Sequence, residues 1–162
     1  MNKIRFKLLI LGLFIAAFAL FFSIYQRGYY TLWQMGSVER IDAFQAEKLM
    51  KESELTVLDV REENEYNISH LPGAIRYQDD LLDGLSPDQP ILVYCTVGLR
   101  SNDLAKKLSD QGFRKVYEIK GGILSWANKG KVINDSGGQK TDTLHTYNKF
   151  FSPFLRSGKS VY

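Results

Sequence analysis

From residue 38 onward, short apolar runs alternate with stretches that carry apolar residues at helical spacing. Residues 38–41 read as a short strand. Asp42 is placed to cap a helix running to Lys51, with Phe44, Leu49 and Met50 as its apolar positions. Residues 55–60 are an apolar run of strand length, the pattern of a strand buried on both faces. Residues 62–67 predict a short acidic helix. Pro72 and Gly73 predict a turn, residues 74–77 a short strand, and residues 79–85 a short helix stopped before Pro87. A second buried strand follows over 91–94. The next helix is predicted over 101–111, with Leu104, Ala105 and Leu108 on one face and Gly112 at its end. Residues 116–119 read as another strand, Gly121 and Gly122 as a tight turn, and 123–128 as a last helix before Gly130. Strands separated by helices predict an α/β fold with a central, mainly parallel sheet and helices on both faces.

The chain before this region has a different pattern. Residues 8–25 carry no charge at all. A helix of that length rises ~27 Å, close to the ~30 Å hydrocarbon core of a bilayer. A soluble domain of this size has no use for a helix apolar on every face. Ala17-Phe18-Ala19 matches a signal-peptidase site, but Leu20, Phe21 and Phe22 continue the apolar run past it. The continuity favours an uncleaved transmembrane anchor. Lys3, Arg5 and Lys7 precede the span and only Arg27 follows it closely. By the positive-inside rule, the start faces the cytoplasm. The domain then lies on the outer side of an inner (plasma) membrane, the periplasmic side in a bacterium. The sequence therefore divides into a start and anchor over 1–27, a linker over 28–37, a domain over 38–131 and an extension over 132–162.

Charge refines this division. The net charge of +3 splits into +4 for residues 1–27, −4 for 28–138 and +3 for 139–162. The domain has no basic face with interleaved aromatics, so no nucleic-acid partner is implied. After Gly137 and Gly138, the extension mixes Tyr147, Phe150, Phe151, Phe154 and Tyr162 with basic residues and shows no helical period. It reads as a segment packed over the domain edge, with contact to lipid headgroups as the alternative. A single cysteine excludes an intrachain disulfide and a Cys-rich zinc site. With only His70 and His145, a multi-histidine metal site is not implied.

That cysteine, Cys95, stands where the 91–94 strand ends, in the stretch VYCTVGLRS. In open parallel sheets, ligands bind at the carboxyl ends of the strands. Gly98 permits a curled backbone that a side chain would obstruct. Such a curl before a helix turns successive N–H groups inward as a nest for an anion. Thiolate is the nucleophilic form of cysteine, and N–H groups aimed at sulfur favour it. Arg100 adds a permanent cation suited to an oxyanion. A lone cysteine as buried apolar filler is the plain alternative.

Three stretches together resemble the single-domain rhodaneses, a family of sulfurtransferases. LDVREENEYNISHLPGAI (58–75) is similar to the family's first signature, VYCTVGLRS (93–101) to its active-site loop, and GFRKVYEIKGGILSWANKG (112–130) to its closing signature. The match covers about 38–131 and leaves out the anchor and the extension. Ser69 stands where the family commonly has glycine.

The resemblance implies that Cys95 takes sulfur from thiosulfate or another sulfane donor as a persulfide and passes it to a thiol or to cyanide. The loop N–H groups of Thr96, Val97, Gly98, Leu99, Arg100 and Ser101 would hold the persulfide. Arg100 would bind the anionic donor, or else pair with an acidic neighbour. Asp59 and Arg61 would brace the site without reacting, and His70 would hold a turn. No cofactor is required. Two rival readings remain: a rhodanese-like binding module without catalysis, and a cysteine phosphatase or arsenate reductase. The phosphatases of this kind use C-x-x-x-x-x-R, one residue longer than the interval from Cys95 to Arg100.

Overall fold

The computed structural model of the chain describes residues 12–22 and 38–162. The chain separates into two compact units, Met1–Trp33 and Gln34–Tyr162. In the first, residues 12–22 form one exposed helix, α1, in which Phe18 stacks on Phe22. The predicted membrane span over 8–25 extends beyond the described residues at both ends, and the linker over 28–37 lies outside them. Among the described residues, no helix is long and apolar enough to cross a membrane.

The second unit is built on five strands: β1 (Glu39–Ile41), β2 (Thr56–Asp59), β3 (Ile75–Arg76), β4 (Ile91–Tyr94) and β5 (Val116–Ile119). They form one sheet in the order β1-β5-β4-β2-β3, and all four pairings are parallel. β4 is central and all four of its residues are 0% exposed. Leu92 and Tyr94 point to one face, where α2 (Ala43–Glu52) contributes Ala43 and Ala46 and α5 (Gly122–Asn128) contributes Ile123, Leu124 and Trp126. Ile91 and Val93 point to the other, against Leu104, Ala105 and Leu108 of α4 (Leu99–Asp110). Two apolar layers of this kind account for an unbroken apolar run in β4, since a strand with helices on both sides has no solvent face.

Local signals set the element ends. Asp42 caps α2, its Oδ1 accepting from the backbone N–H groups of Phe44 and Gln45, while Gln45 Oε1 accepts from Asp42 N. α3 (Glu63–Ile68) follows β2. Two predictions differ from the structure. The helix predicted over 101–111 begins at Leu99, because Gly98 at φ 101° lets the chain turn from the loop straight into the helix. The helix predicted over 79–85 is a single 3₁₀ turn, Asp79–Leu82. The extension, which shows no periodicity, contains four short strands: β6 (Ile133–Asn134), β7 (Lys140–Thr141), β8 (Thr143–His145) and β9 (Lys159–Val161). β6 pairs antiparallel with β7 and β8 parallel with β9. Strands of two or three residues are too short to carry a readable alternation.

Candidate functional site

Cys95 is the first residue after β4, so the most buried strand of the sheet delivers it to the carboxyl edge. Its side chain is 1% exposed. The opening it has is into a cavity of about 120 Å³ lined by Cys95, Thr96, Val97, Leu99, Arg100, Tyr147 and Phe151. That is room for several water molecules or a small ion.

The loop after Cys95 curls back on it. Gly98 N–H donates to Cys95 Sγ at 3.0 Å, and Ser101 Oγ lies 3.6 Å from the same sulfur. The base of the loop is held by α5. Ile123 N–H donates to Cys95 O at 2.9 Å and Leu124 N–H to Thr96 O at 3.1 Å. This approach needs Gly122, at φ 57°: a Cβ there would sit 2.2 Å from Cys95 O. The glycine pair read as a plain turn thus also seats the cysteine loop.

Arg100 leaves α4 toward α3. Its Nη1 donates to Glu65 Oε2 at 2.7 Å and its Nη2 to Glu65 Oε1 at 2.9 Å. Nη2 also reaches Thr96 Oγ1 at 3.1 Å, and the Thr96 hydroxyl donates to Glu65 Oε1 at 2.9 Å. Burial alone would raise the pKa of Glu65, but the Arg100 guanidinium outweighs it and holds the carboxyl below its ordinary value. The same pair raises Arg100 against the effect of its own burial. Arg100 is therefore both on the cavity wall and committed to an acidic partner.

Asp59 and Arg61 form a buried pair, with Nη2 to Oδ2 at 2.7 Å and both side chains 0% exposed. Arg61 Nε also donates to Asp59, at 3.0 Å to Oδ1, and its Nη2 donates to Ser69 O. Burial works against the Arg61 charge, and the Asp59 carboxylate overcomes it and raises the pKa. Tyr94, in β4, completes the brace. Its hydroxyl donates to Asp59 Oδ2 at 2.6 Å and accepts from Leu71 N–H at 3.0 Å. Burial, reinforced by Asp59, keeps that phenol protonated. His70 sits apart from the sulfur's hydrogen-bonding partners. Its ring stacks on Tyr66, its Nδ1 is 3.0 Å from Tyr66 O, and its backbone bridges Asn134. His145 is buried in β8, where loss of solvent lowers its pKa. Among the described residues, no group of histidine, cysteine and acidic side chains is placed to hold a metal ion.

Beneath the loop lies Glu118, 0% exposed in β5. Its Oε1 accepts from Ser101 Oγ at 3.0 Å and its Oε2 from Arg40 Nε at 3.1 Å. Burial pushes its pKa up to about 7, against the opposing pull of Ser101 and Arg40.

The residues expected around Cys95 come together here: Thr96, Val97, Gly98, Leu99, Arg100 and Ser101 run from its loop into α4, Asp59 ends the neighbouring strand β2, and Arg61 stands two residues on. Glu65, Tyr94, Glu118, Tyr147 and Phe151 were not anticipated. A lone acid inside the apolar strand VYEI was a signal for Glu118. Glu65 had none to separate it from Glu62 and Glu63.

The parallel sheet thus presents one cysteine at the end of its central strand, with an amide turned onto the sulfur. The profile of the Rhodanese-like domain family matches residues 42–129, and the chain belongs to that family. It is 32% identical over 92 residues to thiosulfate sulfurtransferase GlpE of Coxiella burnetii, a match covering 54% of this chain and 86% of the relative. Among solved structures, the rhodanese-like domain of the Anabaena sp. protein Alr3790 superposes with a TM-score of 0.54 at 29% identity, covering 59% of this chain and 78% of that one. A Rhodopseudomonas palustris protein, RPA3614, described as a possible tyrosine phosphatase, superposes at 0.53 with 28% identity, covering 60% and 86%.

Proposed function

We propose that the chain is a sulfurtransferase that moves sulfane sulfur from thiosulfate or a similar donor to a thiol or cyanide through a persulfide on Cys95. The observation that carries this reading is the seat of the sulfur: Sγ accepts from Gly98 N–H at 3.0 Å and borders a cavity sized for a small ion. The thiosulfate sulfurtransferase relative supports it at the level of the family.

In the first step the Cys95 thiolate attacks the outer sulfur of the donor. A new S–S bond forms, the donor's S–S bond breaks, and sulfite leaves with the bonding pair. In the second step the acceptor attacks the terminal sulfur, and Cys95 departs as thiolate. The chemistry calls for no metal or organic cofactor. The loop amides from Thr96 to Ser101 hold the persulfide anion, and Arg100 orients the donor from the cavity wall. Asp59 and Arg61 fix the strand ends that carry the loop.

The test is the intact mass of the protein after exposure to thiosulfate. A gain of one sulfur atom is expected, lost on adding cyanide and absent in Cys95→Ala. Hydrolysis of a phosphoryl ester without sulfur loading would instead establish the phosphatase reading. A cellular phenotype that survives Cys95→Ser would establish the binding module.

We also propose that residues 8–25 anchor the chain in the inner (plasma) membrane by a single pass, with the domain on the outer, periplasmic side. The uncharged run and the basic residues before it support this. A carboxyl-terminal reporter active only in the cytoplasm should be silent; an active one overturns the orientation.

A further inference from the structure

The cavity over Cys95 is not closed by the rhodanese-like domain alone. Two of its walls, Tyr147 and Phe151, come from the extension, beyond the 42–129 family match. The extension is knit to itself and tied to α5. Thr146 N–H donates to Val161 O at 2.8 Å, and its hydroxyl meets Ser160 Oγ at 2.9 Å and Ser152 Oγ at 3.1 Å. Asn128 of α5 grips the next turn, its Nδ2 donating to Phe154 O at 2.8 Å and its Oδ1 accepting from Arg156 N at 2.7 Å.

Tyr147 is held at φ 71°, the only non-glycine residue with a positive φ among those described. That conformation is costly for an aromatic residue, and such strain concentrates at working sites. It puts the Tyr147 ring 5.0 Å from the Arg100 guanidinium carbon, in cation–π geometry.

The charge around the cavity is as informative as its shape. Among the described residues, Arg100 is the only cationic one on the wall. Both its Nη atoms serve Glu65, so the pair presents no net positive charge. The Thr96 hydroxyl is taken by the same carboxylate. His145, two residues before Tyr147, has its pKa lowered by burial, which disfavours a cation there. What remains of the lining is aliphatic and aromatic surface, with the Gly98 amide on the sulfur.

We propose that Tyr147 and Phe151 set the donor class of the Cys95 site, favouring sulfane donors with one negative charge and a small apolar group over doubly charged thiosulfate. The proposal rests on the persulfide chemistry above and specifies its substrate. A thiosulfonate of a short alkane fits the description. Methanethiosulfonate has the shape of thiosulfate with one anionic oxygen replaced by a methyl group, so the two differ in charge and polarity and hardly in size. The step balances as before: Cys95 thiolate takes the outer sulfur, the donor S–S bond breaks, and methanesulfinate leaves with the pair. A second charge brought into this cavity meets no uncompensated cation and loses its water, whereas the methyl group gains by leaving water.

The experiment compares kcat/KM for methanethiosulfonate and thiosulfate on the purified full chain in detergent, with cyanide as acceptor, alongside intact-mass readout of Cys95 loading by each donor. The wild-type protein should favour methanethiosulfonate by about tenfold or more. In Tyr147→Gly, which keeps the backbone conformation without strain and removes the ring, that preference should fall severalfold, chiefly by a gain on thiosulfate. Phe151→Ala should move it the same way. Equal or better use of thiosulfate by the wild-type protein overturns the proposal, as does a preference untouched by either substitution. Absence of sulfur loading from both donors overturns the persulfide reading itself, a different outcome from loading without preference. The wild-type comparison decides even if a variant fails to fold.

Discussion

Glu65 of α3 grips Arg100 of α4 with both carboxylate oxygens, at 2.7 and 2.9 Å. The pair ties the cysteine loop to the helix after β2 and cancels the Arg100 charge on the cavity wall. A forked pair of this kind is stronger than a single contact. Arg100 keeps 30% of its side chain exposed, so the stabilisation is below that of a fully buried pair.

Glu65→Gln should lower stability by about 1–3 kcal/mol near neutral pH. It should also lower KM for thiosulfate, because Arg100 would face the cavity uncompensated. The folded protein depresses the pKa of Glu65. Its contribution is therefore present above the ordinary carboxylate range and is lost as pH falls through the depressed value. Urea unfolding of both proteins across acid pH checks this: the gap should close on acidification, and a gap that widens contradicts the pairing.

Glu118 titrates in the opposite sense. Its pKa is pushed up to about 7 by burial, so the folded state holds a proton that the unfolded chain has released. Stability attributable to this group falls as pH rises from about 4.5, its ordinary value, to about 7. Glu118→Gln should remove that decline, gaining on the wild-type protein as pH rises. The proton also reaches the sulfur. An ionised Glu118 accepts from Ser101 Oγ, while a protonated one donates to it and frees the Ser101 hydrogen for Cys95 Sγ, 3.6 Å away. The pH profile of Cys95 loading should accordingly carry an inflection near 7 that Glu118→Gln abolishes.

Gly122→Ala should cost about 2–5 kcal/mol, combining a left-handed backbone with a Cβ driven into the cysteine loop. The added Cβ would lie 2.2 Å from Cys95 O and 2.7 Å from Thr96 O. Sulfur loading should fall further than stability does, since the carbonyls displaced belong to Cys95 and its neighbour. Denaturant midpoints measured beside loading rates separate the two effects.

Tyr94→Phe should cost about 1–3 kcal/mol, because it leaves Leu71 N–H without its buried acceptor and takes one donor from Asp59 Oδ2, which keeps Arg61. Chemical denaturation reads this directly. A neutral result would mean that water replaces the hydroxyl.

Much of this molecule was legible along the chain. Strands β4 and β5 lie where their apolar runs are, and Asp42 caps the helix its position announces. These signals are local: a strand buried on both faces needs an apolar run, and a helix start needs an acceptor for its free N–H groups. Cys95 was marked by the same logic, since an apolar run ending in a cysteine and a glycine places a thiol at a strand's carboxyl edge. Three ordered motifs then carried the family. Chain order alone left open which acid would meet Arg100, what Ser101 would touch beneath the loop, and whether the extension would reach the sulfur. Glu65 and Arg100 are 35 positions apart, and Ser101 and Glu118 are 17 apart. Their meeting depends on how β2, β4 and β5 lie side by side and on where the helices between them end. Tyr147 and Phe151 reach the cavity because a patternless tail is tied to α5 through Asn128 and knit to itself through Thr146. Residue chemistry and spacing choose the elements; the packing of distant elements decides which charges cancel and what walls the thiol faces.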